Sequence, residues 1–169
     1  MKNALSVATV LSWINIIVFG GIVALCLVVS FAMGQLAFLA SVALLSSIPL
    51  SCYAALMLHR SIRRPDVPLS HQTPAGIRFV GLIAMFLGVT YIVAGVTIIA
   101  QPGQLLDSMK EMAGKMGGLA PTEIASVGKV FLLFGGIITA VLGLMVVINV
   151  ILNIRLLRWY ILLHKSDGS

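Results

Sequence analysis

The chain has 169 residues, of which 60% are hydrophobic and only 9% are charged, and its formal net charge is +6. A soluble domain is typically about 45–50% apolar and about 25% charged, so this composition excludes a soluble enzyme, a disordered tail and a disulfide-linked secreted module. The eleven basic residues are scattered over short loops, unlike the clustered basic surface that binds nucleic acid. The composition indicates an integral membrane protein with no nucleic-acid partner.

Four apolar blocks follow one another along the chain. Each is long enough to cross a hydrocarbon core of about 30 Å at about 1.5 Å per residue, and none alternates polar and apolar residues as a strand does. The sequence therefore predicts an all-α protein, a single membrane domain over residues 1–169 folded as an integral membrane four-helix bundle. The predicted helices cover about residues 7–33, 35–58, 76–100 and 121–163.

Positive charges are unequally distributed between the two ends of this bundle. Eight basic residues fall on the side of the termini and the 60–73 loop, and three fall on the opposite side: Lys110 and Lys115 in the 101–126 loop and Lys129 just after it. The positive-inside rule places the richer side in the cytoplasm, so we predict cytoplasmic termini in a multi-pass protein of the bacterial inner (plasma) membrane. Five arginines are expected to lie at the inner headgroup layer and attract anionic lipid. They are Arg60, Arg63, Arg64, Arg155 and Arg158.

The outer loop contains one amphipathic segment, at about residues 104–116. Leu105, Met109, Met112 and Met116 recur at steps of three and four residues, which predicts a short helix lying on the outer leaflet or capping the bundle. Three thioethers on one face would also suit Cu(I). The apolar-face interpretation is favoured because Leu105 continues the same stripe without offering a ligand, so no metal is predicted.

Residues able to carry chemistry are scarce within the apolar blocks. No Asp or Glu lies inside the four apolar blocks, the fourth of which covers about residues 127–154. This absence disfavours proton- or sodium-coupled transporters, since these usually keep an intramembrane carboxylate. Cys26 and Cys52 are expected at depths about 13 Å apart, too far for a disulfide. His59 and His164 could ligate a haem, but interfacial anchoring is the simpler interpretation. No catalytic residue and no cofactor are predicted.

Polar residues within the spans gather toward the predicted inner half of the bundle. Their depths, counted along each helix, place Asn15, Ser51, Tyr53 and Asn149 at comparable levels and Asn153 nearer the interface. One interpretation is a polar pocket or constriction at the cytoplasmic third, for a neutral solute or a lipid headgroup. The favoured one is interhelical hydrogen bonding that stabilises the bundle, at about 0.6 kcal/mol per bond.

Small residues form the most regular pattern in the chain. The third helix has glycines every seven residues, and the fourth has a small-xxx-small face, both typical of closely packed membrane helices. We therefore predict that at least one of these faces packs against a partner. The residues concerned are Gly81, Gly88 and Gly95 on the third helix and Gly136, Ala140 and Gly143 on the fourth.

These patterns predict a non-catalytic integral membrane protein. It would be an accessory or assembly subunit of a membrane complex, or a homo-oligomer packed through its glycine-rich faces, with membrane lipids and other membrane helices as partners. An oligomeric pore or uncoupled facilitator for a small solute is the alternative. A membrane redox subunit that binds a cofactor is the third hypothesis.

Overall fold

The computed structural model describes residues 2–32, 34, 37–64, 69, 73–103, 105–107 and 121–166 of the chain. The regular structure of these residues is entirely helical, which confirms the all-α class. The long helices among them are α1 (Lys2–Ala32), α2 (Ala37–Arg63), α3 (Thr73–Ala100) and α4 (Pro121–Ser166).

All four helices are long and apolar enough to cross a membrane. The spans that meet this condition are Ala4–Ala32, Leu39–Arg63, Thr73–Ala100 and Gly128–Leu162. Their outward faces carry large apolar side chains, such as Phe79 and Phe86 on α3, each 70% exposed. Such a surface is unfavourable in water but is the normal one in hydrocarbon, so the chain is a multi-pass membrane protein.

Two helices extend further at the loop between α2 and α3 than the hydropathy pattern predicts. α2 continues to Arg63 instead of ending near residue 58, and α3 begins at Thr73 instead of near residue 76. A hydropathy pattern detects only the apolar part of a helix. The backbone hydrogen bonds continue beyond it, into the layer where long basic side chains reach water.

The turn after α1 depends on a glycine. Gly34 has φ of +63°, a left-handed conformation that costs other residues about 1–2 kcal/mol, and its N–H donates to the carbonyl of Phe31 at 3.3 Å. After α3, residues 102–103 and 105–107 are helical. Leu105 is 37% exposed, whereas Met109, Met112 and Met116 of the predicted amphipathic helix lie outside the described residues.

Two compact units can be distinguished in the chain. The first comprises Met1–Leu87 with Met145–Ser169, and the second comprises Gly88–Leu144. The first unit therefore holds α1, α2, the beginning of α3 and the end of α4, and its apolar core is a cluster of five buried residues. They are Ala8, Leu58, Ile77, Leu156 and Leu157.

Candidate functional site

A group of polar side chains is buried in the first unit, where α1, α2 and α4 meet. Asn149 of α4 lies at its centre and is only 1% exposed. Its Oδ1 accepts from Ser12 Oγ of α1 at 3.1 Å, and its Nδ2 donates to Cys52 Sγ of α2 at 3.1 Å. Asn153, one turn further along α4, donates from Nδ2 to the same Oδ1 at 3.3 Å. One asparagine thus connects three helices.

His59 continues this group toward the basic end of α2. It is 2% exposed, with Nε2 at 3.0 Å from Asn153 Oδ1 and Nδ1 at 3.2 Å from Thr9 Oγ1. Because Oδ1 can only accept, Nε2 carries the proton, and Nδ1 is left as an acceptor that faces the Thr9 hydroxyl. Thr9 in turn accepts from Arg63 Nη2 at 3.3 Å, and its hydroxyl also lies 2.7 Å from the Leu5 carbonyl, which competes for the same proton.

With that tautomer, each group from His59 to Cys52 donates to the next, and Arg63 donates to Thr9. The two parts join into one series when the Thr9 proton turns from the Leu5 carbonyl to His59 Nδ1, and hydrogen bonds in such a series polarise and strengthen one another. We call this series the polar relay. It consists of Arg63, Thr9, His59, Asn153, Asn149 and Cys52.

Two buried polar side chains of the first unit have no hydrogen-bond partner among the described residues. Asn15 is 1% exposed, and neither its Oδ1 nor its Nδ2 is paired. Its amide approaches the Cys52 thiol without reaching hydrogen-bonding geometry. The Oγ of Ser47, 5% exposed, is likewise unpaired. An unpaired buried polar group is costly, so these are the weak points of the cluster or places where a water binds.

The structure brings together part of the predicted inner polar cluster. Asn149 and Asn153 belong to the polar relay, and Asn15 lies beside it. Ser51 is buried but donates to the Ile48 carbonyl of its own helix at 2.8 Å. Tyr53 does not belong to the cluster, since it is 56% exposed.

Sequence reasoning missed four members of the buried group. Thr9 and Ser12 are three residues apart on α1, and Cys52 and His59 are seven apart on α2. Residues at these spacings share a helix face, so their periodicity was a usable signal. His59 was expected at the interface because α2 was predicted to end near residue 58. The helix continues to Arg63, which places His59 a full turn inside it.

A groove of about 650 Å³ runs along the contact between α1 and α2 in the same unit. It contains Tyr53 and all three arginines at the end of α2. His59 and Thr9 of the polar relay contribute to the wall as well. Its full lining is Thr9, Trp13, Ile16, Tyr53, Leu56, Met57, His59, Arg60, Arg63 and Arg64. The other two predicted lipid-contacting arginines, Arg155 and Arg158, are exposed on α4 and do not line it.

The second unit is held by close backbone packing between α3 and α4. A Cβ added to Gly95 would lie 2.6 Å from the backbone of Ala140 and of Gly136. One added to Gly143 would lie 2.6 Å from the carbonyl oxygen of Gly88. Such distances leave no room for a side chain. The part of the predicted glycine faces that lies in the second unit is therefore filled within the chain. Gly81, in the first unit, has more room around it, since an added Cβ would lie 3.7 Å from Val150, an ordinary van der Waals distance.

Another glycine of α4 faces open space. A Cβ added to Gly135 meets nothing within 4 Å, although the adjacent Gly136 packs against α3. Gly135 lies in an apolar dent of about 340 Å³, which Val130, Phe131, Phe134 and Ile138 surround. We call this the Gly135 dent.

Within the described residues, no three His, Cys, Asp or Glu side chains are grouped as a metal site would require. Cys26 and Cys52 are both free thiols. The chemistry that the arrangement offers is hydrogen bonding within the bundle and a positively charged groove at its edge. Comparison of the chain with protein-family models, with curated proteins and with solved structures gives no match in any of the three.

Proposed function

We propose that this chain is a non-catalytic integral membrane protein that acts through helix packing. It serves as an accessory or assembly subunit of a membrane complex, or it forms a homo-oligomer. The observation that carries this proposal is the Gly135 dent, where a glycine lies between large apolar side chains without being needed for the chain's own packing. Small residues of this kind are typical of surfaces where membrane helices approach each other closely.

The contacts elsewhere in the molecule support the same function. Gly95 and Gly143 already contact backbone within the chain, so a partner helix has to use another face. The buried amides of Asn149 and Asn153 bond to neighbouring side chains. At Asn149 these hydrogen bonds join α4 to α1 and α2, which supports a role in helix packing.

The proposal includes an orientation and a location. The described basic side chains at the ends of α2 and α4 belong to the end of the bundle that we place in the cytoplasm, following the positive-inside rule. The membrane would be the bacterial inner membrane, with lipids and other membrane helices as partners.

An oligomeric pore or uncoupled facilitator for a small solute is the alternative. Asn15 favours it, because its amide is buried without a partner among the described residues. An unpaired buried amide is a place where a water molecule or a polar solute binds. A conducting path would require several chains to bring such groups together.

Native mass spectrometry of the protein, extracted gently from its own membrane, tests these functions. We expect a defined complex that Gly135→Leu dissociates, because the added side chain occupies the dent and its Cβ meets no atom of the chain within 4 Å. Ala94→Leu is the matched control, since Ala94 is an exposed small residue of α3 in the same unit and the change should leave the complex intact.

The other outcomes are equally informative. A strictly monomeric wild-type protein would contradict the proposal. A closed homo-oligomer that survives Gly135→Leu and passes a neutral solute into liposomes would replace it with the pore. A hetero-complex lost in Gly135→Leu alone would make the chain a subunit.

A further inference from the structure

The groove between α1 and α2 changes from basic to apolar along its length. Arg60 and Arg63 line it in the last turn of α2 and Arg64 directly after it, whereas Tyr53 lines it further into the span. The ten steps from Tyr53 to Arg63 correspond to about 15 Å along the helix axis. α1 repeats the gradient in the opposite chain direction, with Thr9 at the polar end and Ile16 at the apolar end.

The basic end of the groove suits a phosphate group. Three guanidinium groups line it, and the described lining residues include no acidic side chain. Arginine binds phosphate through paired N–H donors in a fixed fork. The hydroxyl of Thr9, which is half-buried, accepts from Arg63 Nη2 at 3.3 Å. This contact directs one of these forks to the groove before a ligand arrives.

The apolar part of the groove suits a hydrocarbon chain. Trp13, Ile16, Leu56 and Met57 line it. Trp13 is 54% exposed and Met57 is 39% exposed, so the groove is open sideways to the hydrocarbon of the membrane. Its volume of about 650 Å³ falls within the range of about 300–1,000 Å³ that small-molecule sites occupy.

We propose that this groove binds one anionic phospholipid, with the phosphate on Arg60 and Arg63 and an acyl chain against Ile16 and Leu56. The site is distinct from the general attraction of basic residues to a negatively charged membrane surface. It requires arginines at one particular place, between two helices, beside a slot for the acyl chain. The proposal does not depend on the protein's being a subunit or an oligomer.

Arg155 and Arg158 provide the matched control for charge. They are exposed arginines near the end of α4 and lie outside the groove. Replacing either pair by glutamine removes the same net charge. A diffuse electrostatic interaction would weaken equally in the two variants, whereas a lipid held in the groove would be lost only from the first.

Lipid titration of the detergent-solubilised full chain, followed by native mass spectrometry, tests the proposal. The probes are phosphatidylglycerol, phosphatidylcholine with the same acyl chains, and glycerol 3-phosphate. We expect the first phosphatidylglycerol to bind at least tenfold more tightly than the first phosphatidylcholine. Arg60→Gln with Arg63→Gln should weaken it by about tenfold or more, and Arg155→Gln with Arg158→Gln by less than twofold.

A variant that fills the groove tests the contribution of the acyl-chain contact separately from that of the charge. Ile16→Trp keeps every charge and should weaken phosphatidylglycerol binding about tenfold, even if the arginine variant fails to fold. Glycerol 3-phosphate should not displace the lipid, because it has no chain to occupy the slot. Displacement by that probe would show a site for free phosphate esters. Equal losses in both arginine pairs, or equal binding of the two lipids, would overturn the proposal.

Discussion

The two units of this chain hold their helices together by different means. In the first, side chains donate and accept hydrogen bonds across three helices, with Asn149 bonded to both α1 and α2. In the second, α3 and α4 approach until backbone atoms would lie 2.6 Å from an added Cβ at Gly95 or Gly143. Both solutions replace the hydrophobic effect, which cannot drive association between helices already surrounded by hydrocarbon.

The difference has a consequence for how each unit tolerates change. Close backbone packing depends on the absence of side-chain atoms, so any addition must separate the helices. A hydrogen-bonded group depends on matched donors and acceptors, so the loss of one member leaves its neighbours unpaired. Additions should therefore damage the second unit, and deletions of polar atoms should damage the first.

The largest effect is expected at the glycines of α3. Gly95→Ala should destabilise the protein by about 3 kcal/mol, the upper end of the usual overpacking cost, because the methyl group meets backbone atoms. Gly81→Ala is the matched control from the same seven-residue series. Its Cβ would meet only Val150, at an ordinary 3.7 Å, so stability should stay equal or rise by up to about 1 kcal/mol.

Thermal unfolding in detergent micelles measures both variants. Equal destabilisation by the two alanines would mean that glycine is needed throughout α3 for a reason other than space. It would remove the distinction between a filled and an open glycine face.

The second effect concerns the asparagines of the first unit. Asn149→Leu should lower the free energy of unfolding by about 2 kcal/mol, since Ser12, Cys52 and Asn153 all lose a partner. Asn15→Leu should change it by less than about 0.5 kcal/mol or raise it, because this amide has no partner to lose among the described residues. Chemical unfolding in mixed micelles distinguishes the two. A large loss in Asn15→Leu would show that a water or ligand pairs this amide.

Much of the fold could be predicted because a membrane span has a simple physical signature. Length and hydropathy identify four spanning helices, and polar residues such as Asn149 and Asn153 stand out against an apolar background. Their spacing of four residues already places them on one helix face. The hypothesis of interhelical hydrogen bonding around them agrees with the contacts observed.

The rotation of each helix was harder to predict. Cys52 and Tyr53 are neighbours in sequence, but Cys52 is 1% exposed and Tyr53 is 56% exposed. A helix that is apolar on all sides has no amphipathic pattern to fix its rotation. Gly81 and Gly95 are equally regular in sequence, and only the point where two backbones cross distinguishes the tight glycine from the loose one.

The smallest expected loss of stability is at Thr9, and this variant tests the direction of the hydrogen bonds in the polar relay. Thr9→Val keeps the shape of the side chain but removes the hydroxyl that contacts both His59 and Arg63. The expected loss is about 0.6 kcal/mol, the average for an interhelical hydrogen bond in a membrane protein. Thr97→Val in the second unit is the control, since Thr97 donates only to the Val93 carbonyl of its own helix, at 2.9 Å.

Nitrogen NMR of histidine-labelled protein gives this variant a more direct readout. In the wild-type protein His59 should carry its proton on Nε2, because Asn153 Oδ1 accepts there, and Nδ1 should show the shift of a hydrogen-bonded acceptor. Thr9→Val should leave the Nε2 proton in place and move only the Nδ1 resonance. A proton found on Nδ1 in the wild-type protein would exchange the donors and acceptors of the relay. The side-chain amides of Asn149 and Asn153 would then be rotated by 180°, and the Cys52 thiol would donate to Asn149. Stability would then depend on the thiol proton, and Cys52→Ala would cost more than Thr9→Val.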